Sequence, residues 1–173
     1  MKKILIVGFV LVLVIVAFFL INDKKVASPV VVNPPVVEEE KPVELCFMQK
    51  GKVNEQGLFD KFTLKMSIDN KNGKVAGELK LLPAEKDKKV GKFEGTVSIV
   101  DKVMMARNVD AIWDTFAEGM NTKEELKFIF GEGTASIGFG EMVDRGDGVY
   151  VYKDTKNIAY NLELTDVACA EIN

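Results

Sequence analysis

The sequence predicts an all-β domain: an antiparallel meander of eight or nine short strands closing into a small barrel, preceded by an N-terminal transmembrane helix and a Pro-rich linker. Three observations carry that reading. From Cys46 onward, apolar and polar residues alternate in segment after segment, the period-two pattern of strands with one wet face. Turn-forming clusters, such as Asn70-Lys71-Asn72-Gly73, Gly131-Glu132-Gly133 and Asp144-Arg145-Gly146-Asp147-Gly148, separate these segments. Ahead of them stands an unbroken apolar run, Ile4 to Ile21, followed by four of the five prolines.

As a helix the run Ile4 to Ile21 reaches about 27 Å, close to the hydrocarbon thickness of a bilayer. A cleaved signal peptide would end in a small-x-small site. Here the run ends Phe18-Phe19-Leu20-Ile21-Asn22-Asp23, and the one later candidate, Val26-Ala27-Ser28, is followed at once by Pro29. Residues 1–21 are therefore expected to remain as an anchor. Lys2 and Lys3 on one side balance Lys24 and Lys25 on the other, so the α-amino group tips the orientation toward a cytoplasmic N-terminus and an extracytoplasmic domain in the cell membrane. Residues 22–45 hold Pro29, Pro34, Pro35, Pro42 and Glu38-Glu39-Glu40 and read as an extended, solvated stalk, with an edge strand or docking peptide from its valines as the alternative.

Residues 46–173 suffice for one domain with its own core. They carry 18 Lys+Arg against 21 Asp+Glu, with no basic block, so nucleic acid is not an expected partner. The chain has no histidine, which excludes Ser-His-Asp and Cys-His nucleophiles and His-ligated zinc. Its two cysteines, Cys46 and Cys169, bracket the domain and are expected to form a disulfide outside the cytoplasm, against the alternative of two buried thiols.

Taken in order, Phe62, Leu64, Met66 and Ile68 mark the inner face of one strand, and Val75, Gly77, Leu79 and Leu81 that of the next. Phe93, Gly95, Val97 and Ile99 follow, then Leu126, Phe128 and Phe130, then Ala135, Ile137 and Phe139. Val149 to Tyr152 and the set Ile158, Tyr160, Leu162 and Leu164 complete the series. Gly77, Gly95, Gly138 and Gly140 inside these segments point to sharp coiling or bulges. Residues 101–120 fit helical spacing as well as strands; a helical or irregular turn over Asp101 to Arg107 and a strand from about Val109 to Ala117 is the preferred reading. One shared interior is expected to receive Phe62, Leu64, Val97, Phe128, Ile137, Phe139, Tyr160 and Leu162.

The strings Leu82-Pro83-Ala84-Glu85-Lys86-Asp87, Val90-Gly91-Lys92-Phe93-Glu94-Gly95, Ala117-Glu118-Gly119-Met120 and Gly138-Phe139-Gly140-Glu141-Met142 make an E-K-D…G-x-x-x-G…E-G…G-x-G-E pattern. Over residues 46 to 169 this resembles uncharacterised bacterial envelope proteins and lipoproteins with a small β-rich domain, and the architecture is loosely similar to lipocalin-type barrels. The resemblance implies an envelope location and no activity. Many such proteins begin at a lipidated cysteine, whereas this chain has an apolar span.

Among the acids of those strings, Glu85, Asp87, Glu118 and Glu141 admit a carboxylate pair of glycosidase type, but turn caps and lysine partners such as Lys86 and Lys92 are the preferred account. Asp144 to Gly148 lacks the further acidic ligands of a calcium loop and reads as a turn, so no metal or cofactor is expected. Trp113, Glu118, Glu141 and Arg107 are the candidate ligand-binding residues. The expected function is non-enzymatic binding of a small apolar or envelope-derived ligand, with a protein-protein interaction or structural module of the cell envelope as the alternative. Binding requires an unfilled lumen; an interaction role requires a filled barrel and an outer patch.

Overall fold

The computed structural model describes residues 41–172. The expected anchor and most of the expected stalk lie outside the described residues. Ten strands follow: β1 (Val43–Lys50), β2 (Lys61–Asp69), β3 (Lys74–Leu82), β4 (Lys89–Val97), β5 (Ala106–Ala117), β6 (Met120–Gly131), β7 (Thr134–Phe139), β8 (Met142–Asp144), β9 (Val149–Tyr152) and β10 (Ala159–Asp166). Two short 3₁₀ turns, Thr155–Asn157 and Cys169–Glu171, are the only helical pieces among the described residues. β1 opens at Val43, so residues 43–45 belong to the sheet rather than to the stalk.

The strands pair in the order β5-β4-β3-β2-β1-β10-β7-β6, and a β5–β6 pairing returns the last to the first. Eight antiparallel strands thus close an up-and-down barrel, as the alternation predicts. β9 runs parallel to the start of β6 through Lys123↔Val149 and Glu124↔Tyr150, and β8 pairs with β9, forming a flap on the barrel's flank.

Period-two alternation sends one face of every barrel strand inward. Phe47, Leu64, Met66, Val75, Leu79, Phe93, Val109, Trp113, Leu126, Phe128, Ile137 and Leu164 meet there as one buried cluster. At its centre the Phe93 and Phe128 rings stand edge to face, 5.6 Å between centroids. Gly77, opposite Phe93, provides room for that ring: a Cβ there would lie 2.6 Å from Phe93 Cζ and 2.1 Å from the Lys65 carbonyl oxygen. The register across β2, β3 and β4 is unbroken, so Gly77 and Gly95 serve close approach in a coiled sheet rather than bulges. Gly140 lies between β7 and β8, outside any strand.

The bulge is on β10. Two steps along β7, from Phe139 to Ile137, answer three along β10, from Ala159 to Leu162, which inserts one extra residue and shifts the side-chain phase. This corrects the expectation for Tyr160, whose ring lies beside Gly138 on the outer face, while Asn161 takes the inner position. Leu64, Val97, Phe128 and Ile137 are buried as expected, and Phe62 and Leu162 pack partly buried against them. Phe139 faces the lumen at its open end and is therefore part exposed. Ile99 lies past the end of β4 and is exposed, against expectation. Residues 102–105 form a turn closed by the Asp101↔Ala106 bridge, and β5 then alternates strictly, with Trp113 in and Ile112 and Phe116 out.

Cys46 and Met48 face outward from β1 and are covered by Val167, Cys169 and Ile172, a second small cluster outside the barrel. Here the expected disulfide is formed: Cys46 and Cys169 are bonded across a sequence separation of 123, with Cα atoms 5.1 Å apart.

Candidate ligand-binding site at the open end of the barrel

One end of the barrel carries the turns 70–73 and 132–133 and the connection 98–105; the other, where β1 ends and β2 begins, carries the connections 51–60, 83–88 and 140–158 and the two-residue turn 118–119. Connections 51–60 and 83–88 are tied together. Asn54 accepts hydrogen bonds from the Gln56 and Leu58 amides and donates from Nδ2 to Glu85 Oε1 at 3.0 Å, and Asp60 accepts from the Ala84 amide at 2.7 Å. Glu85 thus fastens a loop.

Beneath these loops the lumen is not filled. A cavity of about 200 Å³ lies between Leu79, Leu81, Trp113, Leu126, Ile137 and Phe139, with Lys89, Glu124 and Tyr152 also in its wall. It adjoins a wider groove of about 790 Å³ that shares Leu81, Lys89 and Phe139 and adds Phe62, Leu162 and the two tied loops. The lower lumen is packed with the Phe93–Phe128 core, so the barrel is a cup, closed at the turn end and open at the loop end.

The polar groups of the cup form one chain. Lys89 and Glu124 project inward from β4 and β6 and pair at 2.5 Å, both part buried. The Lys89 ammonium also stands 5.1 Å from the centroid of the Trp113 ring, a cation-π contact. Glu124 Oε1 accepts from Thr122 Oγ1 at 3.1 Å, and Thr122 lies 3.1 Å from Oγ1 of the buried Thr115. Trp113 Nε1, by contrast, is a buried donor with no hydrogen-bond partner among the described residues. An unmet buried N–H costs about 1–3 kcal/mol. Tyr152 completes the wall: its hydroxyl donates to the Gly138 carbonyl at 2.8 Å, and burial pushes its phenol up to about 12, keeping it a neutral donor.

The four residues expected to share a site are distributed differently. Trp113 lines the cavity, and Glu118, in the β5–β6 turn at φ 50°, borders the rim with Asp87, Lys89 and Met120. Glu141 is outside, exposed and paired with Lys153 at 2.8 Å. Arg107 is at the opposite end, where Nε donates to the Ser98 carbonyl and Nη1 to Asn70 Oδ1. Lys89 and Glu124 were not anticipated, yet the signal exists. Stepping back by twos from Val97, Gly95 and Phe93 reaches Lys89, and from Phe130, Phe128 and Leu126 reaches Glu124: two opposite charges on inward phases. Among the described residues no group of three or more carboxylates or thiols gathers to hold a metal ion.

Comparison with protein-family models, with curated proteins and with solved structures finds no match.

Proposed function

We propose that this protein binds, without converting it, a small apolar or envelope-derived molecule that carries a hydrogen-bond acceptor, and that it does so on the extracytoplasmic face of the membrane to which residues 1–21 anchor it. The observation that supports the reading is the unfilled cavity with Trp113 in its wall, whose indole N–H is buried beside it without a partner. The ligand's apolar body lies against Leu79, Leu81, Ile137 and Phe139, and a shift of the Trp113 ring brings its buried Nε1 to the ligand's acceptor. Lys89 and Glu124 neutralise each other, so the cup favours a neutral polar group, such as an ester or amide carbonyl, over a free acid.

Trp113 is the chain's only tryptophan, so its emission reports on the cup alone. Titration with neutral acyl esters and amides should change that emission saturably, and Leu81→Arg, at the junction of cup and groove, should abolish the change while leaving the fold intact. Emission indifferent to every ester and amide, or saturation unaltered by Leu81→Arg, would sink the proposal.

A further inference from the structure

At the end of the barrel opposite the cup, the β4–β5 connection concentrates exposed apolar side chains, more than the Val53, Leu58 and Phe59 of the β1–β2 loop. Within seven positions it exposes Ile99 (88%), Val100 (48%), Val103 (92%), Met104 (57%) and Met105 (56%), side chains that rest against little of the protein. Its base is nonetheless fixed. Asp101 Oδ1 accepts from the Val103 and Met104 amides, the Asp101 amide donates to the Ala106 carbonyl, and Ser98 and Asn108 exchange two hydrogen bonds. A contiguous apolar tip held out on a fixed base marks an interaction surface.

Where the chain enters the domain identifies the occupant. Lys41 and Val43 border one depression with Asn70 and Lys71 of the β2–β3 turn. Arg107 then joins that turn to the loop, bonding Asn70 at 2.8 Å and the Ser98 carbonyl at 2.7 Å. The apolar tip and the entry point therefore share one end of the barrel. The chain arriving there carries the apolar run Ile4 to Ile21, and the 21 residues from Asn22 to Pro42 span at most about 75 Å. A bilayer holding that run meets the tip at an effective concentration on the order of millimolar, so even weak partitioning suffices to dock it.

We infer that the β4–β5 loop is a membrane-docking element: Ile99, Val103, Met104 and Met105 enter the headgroup and upper acyl region of the bilayer that holds residues 4–21, and the ligand cup faces away from it. Docking rests on the membrane placement proposed above but not on ligand binding.

The test uses the full chain added to phosphatidylethanolamine and phosphatidylglycerol vesicles. Because Cys46 and Cys169 are bridged, Val103→Cys or Met104→Cys takes a single nitrobenzoxadiazole label. At the depth of interfacial insertion, about 5–10 Å, the label should emit blue-shifted and be quenched about twofold by shallow doxyl lipids, while a label at Gln56→Cys in the cup loops stays water-like. Water-like emission at 103 and 104 overturns the inference, whether or not the protein floats with the vesicles. A blue shift that grows with protein concentration and ignores doxyl lipid also overturns it, and assigns the tip to a protein surface. Trp113 emission under ester titration is read separately, so failure of docking and failure of ligand binding are distinguishable.

Discussion

Replacing both bridged cysteines, Cys46→Ala with Cys169→Ala, isolates the term that ties the first strand to the last. The bridge closes a loop across 123 positions, for which the chain-entropy relation gives about 5 kcal/mol of restriction on the unfolded state. The native side loses less. Cys46 is buried between Met48 and Ile172, but the Val167 amide still donates to the Cys46 carbonyl at 2.9 Å and the barrel cluster on the other face of β1 is untouched. Guanidinium unfolding followed by Trp113 emission should therefore show a loss of about 3–5 kcal/mol, a large share of the 5–15 typical of a domain. The slope should also steepen, because the uncrosslinked unfolded chain exposes more surface. Wild-type protein unfolded under reductant should fall with the double variant, since both lack the cross-link and differ only in the sulfur atoms. A loss below about 1 kcal/mol with an unchanged slope would refute the assignment of the bridge's effect to the unfolded chain.

Three further outcomes follow from the geometry. Tyr152 and Lys127 both make the fold weaken as pH rises. The Tyr152 phenol is pushed from 10.0 to about 12 by burial, so the native state alone keeps that proton between those values, and about 2–3 kcal/mol is lost across the window. Burial opposes the Lys127 charge, but its hydrogen bonds and ion pairs with Asp110 and Glu125 outweigh this and raise its pKa; that contribution is intact below 10.5 and lost above it. Phenolate absorbance of the folded protein should show one of three tyrosines ionising near 12, and all three titrating together near 10 would contradict it. Gly77→Ala places a methyl group 2.6 Å from Phe93 Cζ and 2.1 Å from a carbonyl oxygen, so it should cost about 3 kcal/mol or more by thermal unfolding, and an unchanged Tm would mean the sheet yields there. Leu64→Asp should abolish the fold by circular dichroism, because its carboxylate has no partner in the closed end, whereas Phe62→Asp at the part-open groove should leave it folded.

The barrel was legible because closure demands that one face of every strand be apolar, and Leu64 through Ile68 or Leu126 through Phe130 state that demand without ambiguity. The bridge was legible because Cys46 and Cys169 have only each other to pair with. Tyr160 was misplaced because a bulge is a property of two strands together: the extra residue between Ala159 and Leu162 appears only against β7. Arg107 and Glu141 are kept from Trp113 by positions along and around the barrel that no single segment states: Arg107 opens β5 at the end opposite the cup, beside Asn70, and Glu141 follows β7 on the outside, paired with Lys153. Lys89 and Glu124 were passed over for the opposite reason. Charged residues were assigned to wet faces, and a barrel open at one end has a wet inner face at its rim.

The place of β1, paired on one side with β2 and on the other with β10, sets an order of events for a chain that emerges from its N-terminus. Strands β2 to β7 each find a neighbour immediately before or after them in the chain, so their hairpins can form as they appear. β1 pairs with β2 at once, but its other edge, like that of β7, is unsatisfied until β10 arrives, more than a hundred residues after β1, and until then the half-built sheet presents open templates for a neighbouring chain. Under the extracytoplasmic placement proposed above, vectorial delivery across a membrane prolongs that interval. A chain released before β10 is therefore an aggregation hazard, and any holding factor should act between the emergence of β1 and that of β10.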